Sequence, residues 1–367
     1  MNIVEKRNVI LDGLTDARKE NKKIYIYGAG INAKEIYKKI CLNNDIDIEG
    51  FVLDDVYYNS LVIKKIMDKP VYSMQWLQKN EDEKTMLLLG FLWFEKNGLL
   101  TSNILKWGGY LAADVACFFD KTETEKYLDY DFVRQNAAEF EFTYKQLTDE
   151  KSKAVMDAYI NQRISGKFGY LEPYADTVQY FDKEIVNIRD IKCFVDCGAF
   201  IGDTYKLFLK QMTSAGIDFT GQAFLWEPDD NNLQILRDNV RADHRVTIIP
   251  KGTGKDKTLI RFDGSGQAGH VSENGNKRIE IDTIDNIVDL KVDMIKMDIE
   301  GAEADALLGA EHTIKRDKPI LAICVYHKRE DLITIPRIIR QICSEYKFYL
   351  RAYSKHSTEI VLYATAL

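Results

Sequence analysis

The chain has 367 residues, 46% of them hydrophobic, enough for two packed cores or one large and one small. A formal net charge of −7 argues against nucleic acid as a partner, because a phosphate backbone wants a basic face. No apolar run of about 18 residues suggests a membrane span, and the charged start MNIVEKRNVILDGLTDARKENKK lacks the apolar stretch of a signal peptide. Six dispersed cysteines without a CxxC pair read as buried reduced thiols, which points to the cytoplasm. The Lys, Asn and Ile content suggests a low-GC bacterial source.

Residues 1–120 read as a Rossmann-like α/β unit. Lys23–Tyr27 is a strand, Gly28-Ala29-Gly30-Ile31-Asn32-Ala33 is a G-x-G-x-x-A turn, and a helix carrying Ile36, Tyr37 and Ile40 follows. Ile46–Leu53 is a second strand ending in Asp54-Asp55, and Thr85–Phe91 is another. Carboxylates roughly 20 residues past such a turn stand where a ribose is held, so Gly28, Gly30 and Asp54 form a candidate second nucleotide site. The competing reading keeps the turn for packing alone. The stretch YGAGINAKEIYKKI with GFVLDD is similar to the small N-terminal domains of some sugar acyltransferases, and that fold-level resemblance implies a nucleotide-sugar ligand.

Residues 121–185 read as a helical connector. A segment opened by Leu147-Thr148-Asp149 places Ala154, Val155, Ala158, Tyr159 and Gln162 on one face, and Gly166 ends it. Tyr170, Tyr174, Tyr180 and Phe181 follow within a short span. Most of these rings are expected to fill an interface. Gln179-Tyr180-Phe181-Asp182, just before the next strand, is the exception worth testing.

Residues 186–367 carry the main motif. Cys193-Phe194-Val195 is an apolar run closed by Asp196; Gly198-Ala199-Phe200-Ile201-Gly202 is a glycine turn; Asp203-Thr204 open a helix with Leu207, Phe208 and Met212. Strand, glycine turn and helix in that order mark the ligand crevice of a doubly wound sheet. The spacing is D-x-G-x-x-x-G, not the G-x-G-x-x-G of dinucleotide folds. Ala223–Trp226 is the next strand and ends in Glu227-Pro228, with Glu227 placed to accept hydrogen bonds from a ribose diol. Asp229 or Asp230 caps a helix with Leu233, Leu236 and Val240.

Val246–Ile249 is a third strand, and Thr253 in the loop behind it can flank an adenine. Asp263–His270 is a glycine-rich loop, either a cover over substrate or a long hairpin turn. Val292–Asp298 is the fourth strand and delivers Asp298 and Glu300; Glu300 or Glu303 is the better candidate for capping the following helix. Ile320–Tyr326 is the fifth and delivers His327, the most informative of the five histidines. Its place at a strand's end suits a general base, and its ordinary pKa lies near neutral; the alternative is a polar residue starting a turn. Phe348–Tyr353 and Glu359–Ala364 form a terminal hairpin, and seven strands result, mostly parallel with one reversed.

FVDCGAFIGDT, LWEPDDNN and VDMIKMDIEGAEADALLGA, in this order and each at the end of an apolar run, resemble the FkbM family of S-adenosylmethionine-dependent methyltransferases. The resemblance covers about half of the chain, from near residue 175 to the end. It implies a class I methyltransferase sheet and S-adenosylmethionine as cofactor. Asp196, Gly198, Ala199, Gly202, Asp203, Thr204, Glu227, Pro228 and Thr253 are then the candidate cofactor-binding residues, and His327, Asp298 and Glu300 the candidate catalytic ones. It also implies O-methylation of a saccharide, nucleotide-sugar or other small-molecule hydroxyl. The N-terminal unit would help hold the acceptor or form a homodimer. No His/Cys set has metal-ligand spacing, so no metal is assigned; one between Asp298 and Glu300 is compatible but not demanded. Two other classes remain open: a non-catalytic scaffold in a glycan pathway with a vestigial cofactor site, and an NAD-dependent oxidoreductase using Gly28–Ala33. Against the latter, no Tyr-x-x-x-Lys or Cys/His set follows that turn within the first domain.

Overall fold

The computed structural model describes residues 1–62, 64–82, 85–90, 109–119, 122–263, 270–271 and 277–366. In the N-terminal unit the apolar runs become β1 (Ile24–Tyr27), β2 (Gly50–Leu53), β4 (Lys69–Ser73), β5 (Met86–Leu89) and β6 (Tyr110–Leu111), all parallel, with β3 (Lys65–Ile66) pairing antiparallel to β4. Their order is β3-β4-β2-β1-β5-β6. β2 starts later than the apolar run suggests. Ile46 and Ile48 are buried, but the Ile48 carbonyl accepts from the Lys69 side chain (Nζ, 2.8 Å) and is not part of a strand ladder.

The C-terminal unit is built on β7 (Cys193–Cys197), β8 (Gln222–Trp226), β9 (Val246–Ile249), β14 (Met294–Met297), β15 (Ile320–Cys324), β16 (Lys347–Ala352) and β17 (Ile360–Thr365). Their order is β16-β17-β15-β14-β7-β8-β9, and β17 is the reversed strand, antiparallel to both of its neighbours. This is the mostly parallel α/β sheet expected from the sequence. The chain leaves β7 toward β8 on one side and returns to β14 on the other, so the crevice opens at the carboxyl ends of β7 and β14.

Side chains alternate between two cores, as the period of a strand requires. Cys193, Val195 and Cys197 face one, with Ile295 and Met297 of β14; Phe194 faces the other, with Met294, Phe208 and Tyr180. The first core also receives the connector. Its helix Glu150–Ser165 is capped by Asp149, which accepts from Ser152 N (2.7 Å), and closed by Gly166 in the left-handed region. Gly166 is required twice over: φ is +67°, and a Cβ there would lie 2.6 Å from Phe118 Cζ. Thr148 N donates to Phe348 O (2.9 Å), which fastens this helix beside β16.

The helix Asp331–Ile342 contains Pro336 in its interior, a residue expected only near a helix start or at a kink. A proline there leaves the carbonyl four residues back without its partner. That carbonyl, on Leu332, accepts from Thr143 Oγ1 of the connector (2.9 Å), so the lost bond is replaced from a neighbouring helix.

A smaller sheet, ordered β10-β13-β11-β12, was not foreseen. It consists of β10 (Gly252–Thr253), β11 (Thr258–Asp263), β12 (His270–Val271) and β13 (Lys277–Asp282), with β11 and β13 antiparallel. Residues 264–269 of the expected glycine-rich loop lie outside the described residues. All six cysteines are buried and unbridged. Among the described residues no helix is long and apolar enough to cross a membrane.

Candidate active site

The glycine turn after β7 is pinned from three sides. Gly198 N and Ala199 N both donate to Trp226 O at the end of β8 (3.1 and 2.8 Å). Phe200 N donates to Glu227 Oε2 (3.0 Å), and Lys296 Nζ donates to Gly198 O (2.8 Å). Gly198 has φ +80°, and a Cβ there would lie 2.0 Å from Asp298 O, so only glycine lets the ends of β7 and β14 come this close. Gly202, at φ +84°, starts the helix Asp203–Ser214. Asp203 is exposed and Thr204 buried at the head of that helix.

Glu227 is buried, and both its oxygens are engaged. Oε1 accepts from Asp229 N (2.8 Å) and Asn232 Nδ2 (3.3 Å), while Oε2 accepts from the turn. A carboxylate has about four lone-pair sites, so these three bonds leave one, on Oε2, for a ribose hydroxyl. Burial pushes its carboxyl above the ordinary value. Pro228 is half-buried beside it, and Asp229 caps the helix Asp230–Val240. Thr253 is buried beside the Cys197 thiol, which burial pushes up to about 12.

Asp196 is fully buried and sits opposite Lys296 in the β7–β14 register, with Lys296 Nζ 3.0 Å from its Oδ1. It neutralises Lys296, which in turn holds the Gly198 carbonyl of the turn. Burial pushes the Asp196 carboxyl up to about 6 against the pull of Lys296. The lysine was missed in the sequence, yet a signal was there: a charged residue within the apolar run Val292–Met297 must find a buried partner.

Asp298 and His327 come together, as their places at neighbouring strand ends required. His327 Nε2 lies 3.4 Å from Asp298 Oδ1 and 3.9 Å from Glu300 Oε2. Asp298 also accepts from Tyr180 OH (3.0 Å) and Tyr326 OH (3.2 Å). Burial would raise the Asp298 carboxyl, but Lys296 and His327 outweigh it and hold it below the ordinary value. Tyr180 thus belongs to the site, within the stretch Gln179–Asp182 singled out above.

Glu300 or Glu303 was expected to cap the following helix, but that helix, Glu303–Leu308, has Ala302 at its N-cap and no side-chain cap. Glu303 is its first residue; its Oε1 accepts from Ile299 N ahead of the helix (2.8 Å) and lies 3.0 Å from His327 Nδ1. Burial would lower the pKa of His327, but Glu303, Asp298 and Glu300 push it up to about 10, so the resting imidazole is a cation rather than a group poised near neutrality. Three non-glycine residues bordering the site, Tyr180, Phe200 and Glu300, have left-handed backbone (φ +66°, +49° and +57°), strain of the kind stored at working sites.

Gly28, Gly30 and Asp54 belong to the other sheet. Gly28 N donates to Val52 O (2.9 Å), Gly30 lies exposed at the head of a helix with nothing within 4 Å of an added Cβ, and Asp54 accepts from Tyr27 OH (2.7 Å).

Residues 196–350 match the family model for the methyltransferase FkbM domain. No curated protein matches the sequence. Among solved structures, the methyltransferase FkbM from Methylobacillus flagellatus KT is similar over 96% of this chain and 93% of its own, with 20% identity and a TM-score of 0.78. That likeness takes in the N-terminal sheet as well. Aeropyrum pernix fibrillarin in complex with natively bound S-adenosyl-L-methionine matches 49% of this chain and 69% of its own, at 12% identity and a TM-score of 0.32. Precorrin-6y C5,15-methyltransferase from Geobacter metallireducens GS-15 matches 53% and 94%, at 12% identity and a TM-score of 0.30. The match to the methyltransferase FkbM domain model thus falls on residues 196–350, which run from the end of β7 to β16 of the mostly parallel seven-stranded sheet.

Proposed function

We propose that the methyl donor is S-adenosylmethionine and the acceptor a hydroxyl oxygen of a saccharide, nucleotide-sugar or similar small molecule. The observation that carries this reading is the contact of the Gly198 turn with the Asp298 backbone, which puts a cofactor-type turn and a proton-accepting cluster in one crevice. Bound there, the cofactor supplies an electrophilic methyl group on a sulfonium. The residues fit it: the turn from Gly198 to Gly202 would take the methionine end, and the free acceptor site on Glu227 Oε2 would take a ribose hydroxyl.

The rest of the work falls to orientation and proton handling. Holding two reactants in line accounts for most of what such a transfer needs. A hydroxyl acceptor must also lose its proton as the new bond forms. Asp298, whose carboxyl Lys296 and His327 hold below the ordinary value, offers an oxygen anion at the crevice to take the acceptor's proton. Tyr180 and Tyr326 fix the Asp298 carboxylate by bonding one oxygen each.

The N-terminal sheet, with its open Gly30 turn, is proposed to hold the nucleotide part of the acceptor or to form a homodimer. Calorimetric titration with S-adenosylhomocysteine, beside NAD and a UDP-sugar, tests the whole reading. Saturable S-adenosylhomocysteine binding is expected. If the folded protein does not bind it, the scaffold alternative takes its place. Binding of the UDP-sugar as well would give the N-terminal unit its ligand.

A further inference from the structure

Asp298, Glu303 and His327 each place one ligand atom within 4.8 Å of the other two. Two of these residues are nearly sealed: Glu303 is 1% exposed and His327 8%. Among the described residues, Glu303 Oε2 and both ring nitrogens of His327 have no hydrogen-bond partner. The 3.0 Å approach of Nδ1 to Glu303 Oε1 is close but not aligned as a hydrogen bond. Buried polar atoms left unbonded cost about 1–3 kcal/mol each, and a group of three at one point needs a cause.

The charge balance points the same way. Asp298 and Glu303 face His327 directly, Glu300 reaches to 3.9 Å, and Asp331 is buried nearby. Lys296 is taken by Asp196 and the Gly198 carbonyl. We propose that Asp298, Glu303 and His327 bind a divalent first-row cation such as Mn²⁺ at the floor of the crevice.

One imidazole with carboxylates suits such an ion better than a thiolate-seeking one. Metal–ligand bonds of about 2.0–2.2 Å put the ligands of one ion about 3–4 Å apart, so small side-chain movements close the set. The carboxylates are already steered: Ile299 N holds Glu303, and two tyrosines hold Asp298. Asp298 and Glu300 keep 24% and 41% of their side chains exposed, which leaves an approach for the ion and for oxygen ligands from an acceptor. The site rests on the methyltransferase reading for its role, since an ion there would bind adjacent hydroxyls of the acceptor, but not for its existence.

The test uses the full chain, treated with chelator and then titrated with Mn²⁺, followed by electron paramagnetic resonance and by melting temperature. S-adenosylhomocysteine binding is measured in parallel. One Mn²⁺ per chain is expected, raising the melting temperature, with affinity falling tenfold or more in Glu303→Gln and in His327→Gln. No saturable Mn²⁺ binding by protein that still binds S-adenosylhomocysteine overturns the ion site alone. Binding that both variants retain overturns it too. Mn²⁺ binding without S-adenosylhomocysteine binding keeps the ion site and removes the methyltransfer role.

Discussion

Among the described residues, two buried charge clusters of this sheet, one at Arg351 and one at His327, differ in how well their groups are satisfied. Arg351 on β16 is 1% exposed, and its guanidinium is fully used. Nε donates to Asp182 Oδ2 (2.8 Å), Nη1 to Ser152 Oγ (2.9 Å) and Nη2 to Asp149 Oδ2 (2.7 Å). These partners come from the beginning of the connector helix and from the segment ahead of β7, so the cluster clamps the connector to the C-terminal hairpin. At the ends of β14 and β15, His327 and Glu303 are as deeply buried but keep atoms without partners. A satisfied network specifies a fold. An unsatisfied one, kept at the mouth of a crevice, marks where something else binds.

The sharpest way to break this contrast is Arg351→Met. It strands Asp149 and Asp182, and removing one side of a buried ion pair costs about 3–5 kcal/mol. Urea unfolding measures it, with S-adenosylhomocysteine affinity expected to hold wherever the variant is folded. A loss below about 1 kcal/mol would deny the clamp. Glu303→Gln is expected to behave in the opposite way. Turnover falls about 10–100-fold, the range for losing a group that orients a ligand, while stability moves by less than about 1 kcal/mol. Equal damage to both would make Glu303 a second clamp.

Glu227→Ala is expected to weaken S-adenosylhomocysteine about tenfold, or about 1.4 kcal/mol, through the loss of hydrogen bonds to a charged group. Unchanged affinity in calorimetry would leave Glu227 only its bonds to Phe200, Asp229 and Asn232. The smallest effect is in acid. Burial would raise the Asp149 carboxyl, but Arg351 and Ser152 outweigh it and hold it down to about 2. The folded chain therefore binds this proton more weakly than the unfolded chain, whose aspartates titrate near 3.9. The stability it contributes is present above pH 4 and fades as the pH falls toward 2. Melting temperatures from pH 5 to pH 2 are expected to fall more steeply in the wild type than in Arg351→Met. Parallel curves would discount the pair.

The crevice was legible because its signals are local. A glycine turn after an apolar run, then Glu227, Asp298 and His327 at later strand ends, needs only strand periodicity to line up. The β10–β13 sheet was harder, because β10 and β12 are only 2 residues long and β11 and β12 flank a glycine-rich stretch. Tyr180 was harder still. It reaches Asp298 across 118 residues of sequence, and an aromatic residue in a connector looks the same whether it fills an interface or bonds a carboxylate.

The sequence by itself determined the architecture of the C-terminal sheet, the place of its crevice and the identity of the residues at its rim. Those follow from alternation, glycine placement and strand order, which are properties of the chain. Only the tertiary structure decided what those residues do to one another. It set Lys296 against Asp196, brought Glu303 to His327 from the opposite side to Asp298, and so moved the histidine from a near-neutral base to a cation among carboxylates. Charge states depend on distance and burial in space, and spacing along a sequence carries neither.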